Sequence, residues 1–393
     1  MGTRARRPAV YVPPMRWLRR VAADQGPAAP APTLDVVLRH HRGQLNAVRL
    51  LLALSVLAFH AAPLGGYTWK LAIPGVVSST GLGTFAVGAF FALSGMLVTM
   101  SARRNSVGAY LRARLLRILP AYAVVIALSA FVLAPIVYVL TNGTLSGFLS
   151  LSVNGPFSYV VHNATFSTST LRYTILNVFQ TTTPFGRATG AGAINGSIWS
   201  IPIEVRCYVV ALLVVVCGRR VGVHWAALVA LAVVGMAVVA AHAGHSSLQV
   251  VQNLNPEYIR YNRLPLVFVF LCGALAGSLA ERIRITRALS VAAIAAFGAA
   301  LAYGGIVFAT AGFGLTCLVI PILAQRIPGT WVTPMRNDLS YGTYLWAFPV
   351  QQTLAFAGLA AIPAAFLGLS AAITLALAAA SWFLVEQPML RRK

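Results

Sequence analysis

Long apolar runs separated by short basic segments are the feature that most constrains the fold of this chain. Several of these runs reach the roughly 20 residues with which a helix crosses a bilayer. Hydrophobic residues make up 58% of the chain and charged residues only 9%, whereas a soluble domain carries about a quarter charged residues. The mean hydropathy is +0.77. The sequence therefore predicts an all-α, polytopic integral membrane bundle.

The pattern of apolar runs predicts about ten transmembrane helices with both termini in the cytoplasm. Lysine and arginine concentrate in the segments that this arrangement places inside, as the positive-inside rule expects. The seventh and eighth spans are divided at Gly304-Gly305. The predicted spans are residues 45–63, 81–100, 120–140, 199–217, 225–243, 264–280, 288–303, 305–324, 341–359 and 363–385.

The chain divides into three parts in this interpretation. Residues 1–44 are rich in arginine, proline and alanine, and we expect a basic cytoplasmic arm that is disordered or lies on the membrane surface. Residues 45–388 form the transmembrane domain, and residues 389–393 form a basic cytoplasmic tail. Residues 141–198 are polar and nearly uncharged. We place them outside the cytoplasm, where a connection this long is usually functional.

The net charge of +23 does not predict a nucleic-acid partner. The basic residues lie in short segments between apolar runs, and no single stripe of them could follow a phosphate backbone. Membrane topology and attraction to anionic membrane lipid explain the charge better. The four cysteines have no paired spacing, so we expect free thiols. No spacing of His, Cys, Asp or Glu predicts a metal site.

The first span, LNAVRLLLALSVLAFH, carries two polar side chains, Arg49 and His60. Eleven residues separate them, a spacing that returns to within roughly 20° of the same helix face about 16 Å further along. Ionisable residues at such depth usually face a protein interior or a watery cavity, and an imidazole can act as a general base. The alternatives are a neutral histidine that only packs and an arginine that only flanks the span.

The basic segment after the second span contains an R-x-x-R pair, Arg114 and Arg117. Residues three apart share one helix face, so the pair could hold a phosphate or diphosphate through charge-assisted hydrogen bonds. The alternative is an ordinary basic cytoplasmic loop.

Glu204, in NGSIWSIPIEVRCY, is the only carboxylate predicted inside a span. It could orient His60 or bind a substrate hydroxyl, or it could form a structural ion pair with Arg206 or Arg263. Polar groups near it could hydrogen-bond a sugar; they belong to Ser197, Trp199 and Tyr208. Trp199 could instead be an interfacial belt residue.

These pieces together resemble the acyltransferase-3 family, membrane-bound O-acyltransferases that modify sugars and other hydroxylated molecules. Arg49 and His60 resemble its R-x10-H motif, and FFALSG followed by RLLRILPAY resembles its next block. NGSIWSIPIE resembles its W-[ST]-x-x-x-E element, and LSYGTYLWAFPVQQ and FLVEQP resemble its C-terminal blocks. Each motif alone is weak, but the ordered set is specific. Several members carry histidine where this chain has Ala347, so no second family histidine is assigned.

The resemblance implies an acyl-CoA donor on the cytoplasmic side and a sugar, glycan or glycolipid acceptor presented from the other side. In this hypothesis Arg114 and Arg117 hold CoA phosphates, Arg49 positions the thioester end, and His60 is the general base. Glu204, with Ser197 and Trp199, binds the acceptor or orients the histidine. Acetyl is the default acyl group, no metal takes part, and an acyl-histidine stage stays open beside direct transfer.

Two other classes of function compete with an enzyme. A transporter or flippase of a polar lipid or small metabolite fits ten spans, but no paired halves with interrupted helices occur at matching positions. A non-catalytic scaffold leaves Glu204 and the aligned Arg49 and His60 unexplained. We expect no fused SGNH-type domain. The alanine-, valine- and arginine-rich composition suggests a bacterial source, and hence the inner (plasma) membrane.

Overall fold

The computed structural model describes residues 30–68, 81–176, 178–243, 256–303, 306–326 and 335–392. Helix predominates among them, and they form no strand beyond two isolated bridges. The α-helices are α1 (Leu34–His40), α2 (Arg42–Gly65), α3 (Leu82–Arg104), α4 (Val107–Leu128), α5 (Ala134–Asn142), α6 (Pro156–Ala164), α7 (Pro184–Thr189), α8 (Ile201–Val221), α9 (Val223–Ala243), α10 (Pro256–Ser278), α11 (Arg287–Tyr303), α12 (Ile306–Arg326), α13 (Ser340–Phe356), α14 (Pro363–Ser381) and α15 (Gln387–Leu390).

Shorter helical turns join several of these elements. A π-helical turn, Ser129–Leu133, connects α4 to α5, and a second, Trp382–Glu386, connects α14 to α15. A 3-10 helix, Gly196–Ser200, leads directly into α8. Another 3-10 turn, Leu359–Ala361, precedes α14.

Each of the ten predicted spans overlaps at least one helix of the structure, and the third overlaps both α4 and α5. Within the described residues, five continuous helical segments are long and apolar enough to cross a membrane: 42–65, 82–104, 107–142, 196–221 and 363–390. Four shorter apolar helical stretches are Val223–Val239, Leu264–Ser278, Arg287–Tyr303 and Thr310–Gln325. These findings support a helical membrane protein. The number of crossings and the cytoplasmic termini stay predictions, and the division at Gly304-Gly305 lies outside the described residues.

The third predicted span begins earlier than expected. Pro120 was predicted near its start, but the helix begins at Val107, where the Ser106 hydroxyl accepts a hydrogen bond from the Ala109 amide at 3.3 Å. Such a cap satisfies one of the free amides of the first turn, and Pro120 then lies inside the helix. The basic segment with Arg114 and Arg117 is therefore helix and not loop.

Helices α3 and α10 pack closely at their glycines. A Cβ added to Gly95 would lie 1.9 Å from the Phe270 carbonyl oxygen, and one added to Gly273 would lie 2.0 Å from that of Ala92. The glycine- and serine-rich second span predicted close helix packing of this kind, because small residues let backbones approach each other.

Helix α13 lies parallel to α2 in the middle of the bundle. The Asn46 amide donates to the Met335 carbonyl at 3.0 Å, and the Gln351 amide donates to the Leu57 carbonyl at 2.9 Å. The residue numbers of the two contacts increase together along α2 and along α13, so the two helices run in the same direction. Most side chains of α13 are buried, so this helix forms a central support for the elements around it.

The last part of the predicted arm packs against the bundle. Leu34, Val37 and Leu38 are buried, and the Asp35 carboxylate binds Arg104 at 2.6 Å. Burial opposes ionisation of Asp35, but the adjacent guanidinium groups of Arg104 and Arg39 outweigh it and lower its pKa. Residues 1–29, the rest of the predicted arm, lie outside the described residues.

The long polar segment after α5 folds into a cap whose buried side chains, which include Phe148, Tyr159 and Phe179, are continuous with the core of the bundle. The buried Asn163 side chain donates to the Arg172 carbonyl at 2.9 Å and accepts from the Arg172 amide at 3.1 Å. The cap packs on the ends of α2 and α13, for example through rings of Phe179 and Phe356 that are 6.0 Å apart. It therefore covers the end of the bundle nearest His60.

Candidate active site

Four charged side chains from four parts of the chain form one ion cluster, defined here as Arg49, Arg117, Asp338 and Glu386. Asp338 binds Arg49 directly and Arg117 at 2.7 Å. Arg117 also binds Glu386 at 3.2 Å. The side chains of Arg117 and Glu386 are only 13% and 2% exposed. Two cations and two carboxylates thus balance each other where α2, α4, α13 and the end of α14 meet.

Asp338 stays ionised although it is buried. Burial opposes its ionisation, but the charges of Arg49 and Arg117 and the hydrogen bonds from Ser340 outweigh it and lower its pKa to about 2. The Ser340 hydroxyl donates to Asp338 at 2.6 Å. Asp338 thereby connects the start of α13 to both arginines.

Asp338 and Glu386 are not among the site residues predicted from the sequence. Glu386 lies in the helical continuation of the last predicted span, so Glu204 is not the only carboxylate inside a span. One signal was available: the chain has only 7 acidic residues against 30 lysines and arginines. Each acidic residue beside an apolar run is therefore a candidate partner for an intramembrane arginine.

Arg114 differs from Arg117 in its surroundings. It makes no ion pair with the described residues, and its Nε is buried without a hydrogen-bond partner there. Its guanidinium carbon lies 6.0 Å from the ring centre of Tyr110 and 5.7 Å from that of Tyr208. The Tyr110 hydroxyl donates to the Tyr208 carbonyl at 2.7 Å and fixes the two rings relative to each other. Arg114 is thus a half-buried cation on an aromatic support.

Glu204 belongs to the same group of residues. The Tyr208 hydroxyl, one helical turn further along α8, donates to its Oε1 at 2.6 Å. The alternative ion pair with Arg206 is not present, since Arg206 is exposed and makes no salt bridge among the described residues. The side chain of Arg263 lies outside the described residues. No described hydrogen bond joins Glu204 to His60.

His60 lies further along α2 and faces α13, as does Arg49. Its ring meets those of Phe59 and Phe348 edge-on, with 5.6 Å between ring centres in each pair. Its Nδ1 is buried and makes no well-formed hydrogen bond within the described part of the chain, although the ring interacts with the Val56 carbonyl one helical turn earlier. A buried polar nitrogen with so weak a partner is uncommon and is compatible with a catalytic role.

Phe348 connects His60 to the NGSIWS segment. A Cβ added to Gly196 would lie 2.6 Å from the Phe348 ring, so only glycine lets the two pack this closely. The Asn195 side chain donates to the Leu345 carbonyl at 3.0 Å and accepts from the Ser197 amide at 3.1 Å. These contacts hold the 3-10 helix against α13.

Ser197 and Trp199 occupy this 3-10 helix. The Ser197 carbonyl accepts from the Tyr344 hydroxyl at 2.7 Å, while its own Oγ is buried without a partner in the described residues. Trp199 is half-buried and packs against the core. Ser197 and Trp199 therefore lie on the His60 side of α13, whereas the third predicted substrate-binding residue, Tyr208, lies against Arg114.

The predicted site residues thus form three groups, of which α13 and its N-terminal approach connect the first two. The ion cluster lies at its start, Tyr344 and Phe348 bring in Ser197 and His60, and the third group comprises Arg114, Tyr208 and Glu204. No set of three His, Cys, Asp or Glu side chains that could hold a metal ion occurs in the described ranges.

Comparisons with known proteins agree on one family. The acyltransferase-3 family model, described as an acyltransferase domain, matches residues 42–383. Nodulation protein 10 of Rhizobium leguminosarum bv. viciae is 28% identical over 381 residues, which cover 89% of this chain and 94% of that protein. The O-acetyl transferase of Shigella phage Sf6 is 26% identical over 373 residues, which cover 90% of this chain and 97% of that protein. No solved structure gives a significant match.

Proposed function

This chain belongs to the acyltransferase-3 family, and from that premise we propose that it moves an acyl group from cytoplasmic acyl-CoA to a hydroxyl of an extracytoplasmic or lipid-linked sugar or glycan. Family membership makes it an acyltransferase, which sets aside the transporter and scaffold alternatives. The phage relative is named an O-acetyl transferase, and this name supports acetyl as the default acyl group. The proposed location is the inner (plasma) membrane of a bacterial cell.

The donor side of the proposal depends on Arg114. CoA carries phosphates, and arginine binds phosphate through paired, charge-assisted hydrogen bonds. Arg114 suits this role because no described carboxylate neutralises it and its Nε lacks a partner. Arg117, proposed with it as a phosphate ligand, already binds Asp338 and Glu386. The contacts therefore favour Arg114 as the first phosphate ligand.

The chemical step depends on His60, and the observation that carries the proposal is its position, a buried imidazole on the face of α2 that meets α13 and has only a weak bond to the Val56 carbonyl. The acceptor oxygen attacks the thioester carbonyl carbon while its proton passes to the imidazole. The C–S bond then breaks, and the departing CoA sulfur takes a proton back from the imidazolium. This direct route balances every proton and needs only one ionisable group. An acyl-histidine stage is the alternative.

Ser197 and Trp199 are the proposed acceptor-binding residues nearest to His60. The Ser197 Oγ has no described partner, so a sugar hydroxyl could bond to it. Glu204 and Tyr208 already bond to each other, and a carboxylate can accept further hydrogen bonds. Their position beside Arg114 supports binding of a substrate hydroxyl more than orientation of His60.

The proposal is tested with labelled acyl-CoA and membranes that contain the protein. Acetyl-CoA is tried first, then succinyl-CoA and a longer acyl-CoA, and label is followed into glycan and lipid fractions. Membranes from cells without the protein are the control. Label that enters either fraction only when the protein is present supports the proposal and shows the acceptor class. Absence of protein-dependent label with every donor, in membranes that contain candidate acceptors of both classes, contradicts it.

A further inference from the structure

We propose that Asp338 is a positioning residue for acyl transfer: it holds Arg49 and Arg117 together and so fixes α2, with His60, against α13. The inference rests on the proposed function, because it concerns the rate of that reaction. The inference assigns Arg49 and Arg117, which belong to motifs that resemble those of the family, a role other than binding of the donor.

The charge balance of the ion cluster carries the first step. Arg117 binds two carboxylates, Asp338 and Glu386, and stacks 5.5 Å from the ring centre of Tyr341. A phosphate that took Arg117 would leave the buried Glu386 without its arginine, and one that took Arg49 would leave Asp338 with Arg117 alone among the arginines. Removing one member of a buried ion pair is strongly unfavourable. The cluster is therefore closed to a donor phosphate, unlike Arg114.

The geometry of α2 carries the second step. Arg49 meets Asp338 before the start of α13, and His60 meets Phe348 within it. The two contact points are about 16 Å apart along α2. Since α2 is one continuous helix, a shift at Arg49 moves His60 along with it. A misplacement of about 1 Å at a reacting group can lower a rate about 100-fold.

A second carboxylate in the chain provides a matched control. Asp35 is also buried, and it also binds two arginines, Arg39 and Arg104. One of its ion pairs lies within α1 and the other joins α1 to the end of α3, and neither involves a residue of α2 or α13. Asp35→Asn therefore removes a similar buried charge without changing the alignment of His60.

The test is steady-state kinetics of purified Asp338→Asn, Arg117→Gln, their double variant, Arg114→Gln and Asp35→Asn, with the thermal unfolding of each. We expect Asp338→Asn and Arg117→Gln to lower kcat on the order of 100-fold, with the KM for acyl-CoA within about threefold of wild type. The double variant should be no slower than either single variant, because both break the same contact. Asp35→Asn should keep the wild-type kcat.

Three results would overturn the proposal. The first is a KM for acyl-CoA that rises in Arg117→Gln as it does in Arg114→Gln. The second is a double variant whose loss of kcat equals the product of the losses in the two single variants. The third is a wild-type kcat in Asp338→Asn. If Asp338→Asn does not fold, Arg49→Lys takes its place, since lysine keeps the charge but lacks the planar fork. A wild-type kcat in Arg49→Lys would then count against the proposal.

A measurement without turnover separates this proposal from the proposed function. Cysteines are introduced at Leu57 and Gln351, where the Gln351 side chain donates to the Leu57 backbone carbonyl across α2 and α13, in a background without the native cysteines. We expect slower disulfide formation between them when Asp338→Asn is added, and an unchanged rate contradicts the positioning role. If the wild type transfers no acyl group from any donor, the proposed function fails, while the crosslinking still decides whether Asp338 aligns the helices.

Discussion

The guanidinium carbon of Arg114 lies 5.7 Å from the ring centre of Tyr208, and the Tyr208 hydroxyl in turn bonds to Glu204 at 2.6 Å. The cation therefore rests on a ring whose hydroxyl is already engaged, and no described carboxylate binds it. Such a cation is ready to receive an anionic group, and the proposed acyl-CoA donor would supply one in its phosphates.

Replacing Arg114 with glutamine should weaken donor binding. A hydrogen bond to a charged group contributes about 1.5–3 kcal/mol, so the apparent KM for acyl-CoA should rise about 10- to 100-fold while kcat changes little. Initial rates over a range of donor concentrations measure both constants. Arg112→Gln is the control, because Arg112 is exposed on the same helix and bonds to the Arg392 carbonyl. An unchanged KM in Arg114→Gln would remove Arg114 from the donor site.

Gly196→Ala should slow transfer by displacing Phe348. The added methyl group would lie 2.6 Å from the ring, so the ring has to move, and its neighbour His60 loses its edge-on contact. We expect kcat to fall about tenfold or more, as misplaced reacting groups cause large rate losses. Gly368→Ala is the control, because a Cβ there meets no atom within 4 Å. Equal activity of the two variants would show that Phe348 does not position His60.

Gly95→Ala should destabilise the protein. Its Cβ would lie 1.9 Å from the Phe270 carbonyl oxygen, and overpacking of this kind costs about 1–3 kcal/mol, occasionally more. Thermal unfolding in detergent should show a lower midpoint. Gly108→Ala offers the comparison, since a Cβ there meets nothing within 4 Å, and its midpoint should stay the same or rise. A wild-type midpoint for Gly95→Ala would mean that α3 and α10 pack less closely than described.

Because of Asp338, the stability of the folded protein should decrease as the pH falls through the acidic range. Its pKa in the folded protein is about 2, below its ordinary value of 3.8, so its ionised form stabilises the fold by roughly 2 kcal/mol. This contribution is fully present above about pH 4 and is lost as the pH falls through about 2. The free-energy difference between wild type and Asp338→Asn should shrink over that interval. Unfolding measured from pH 6 to pH 2 checks this, and a constant difference would contradict it.

The local features of the fold could be predicted from the sequence. Apolar runs predicted the helices, because helix in a bilayer follows from length and composition. The spacing of Arg49 and His60 predicted their common face, and both contact α13 or the residues just before it. The contact of Glu204 with Tyr208 is also within reach of the sequence, since residues four apart meet on a helix. The alternatives drawn from the sequence for this carboxylate are an ion pair, an interaction with His60 or a substrate hydroxyl, and they do not include it.

The contacts between distant segments could not be predicted in the same way. Arg49 and Asp338 are 289 residues apart in sequence, and no periodic pattern relates them. Arg114 and Arg117 look equivalent in the sequence, yet only Arg117 meets carboxylates, because the partners come from the π-helical turn after α14 and from the segment before α13. The packed cap between residues 143 and 195 likewise depends on buried contacts that a polar composition conceals.

The most direct test of this account is the rate of acyl transfer by purified His60→Ala. General base catalysis contributes about 100- to 10,000-fold, so transfer should fall by at least about 100-fold. Expression, thermal unfolding and the KM for acyl-CoA should stay close to those of the wild type. His162→Ala is the control, because His162 lies in the cap and bonds to Ser158. A rate for His60→Ala within about twofold of wild type would contradict the assignment of His60 as the general base.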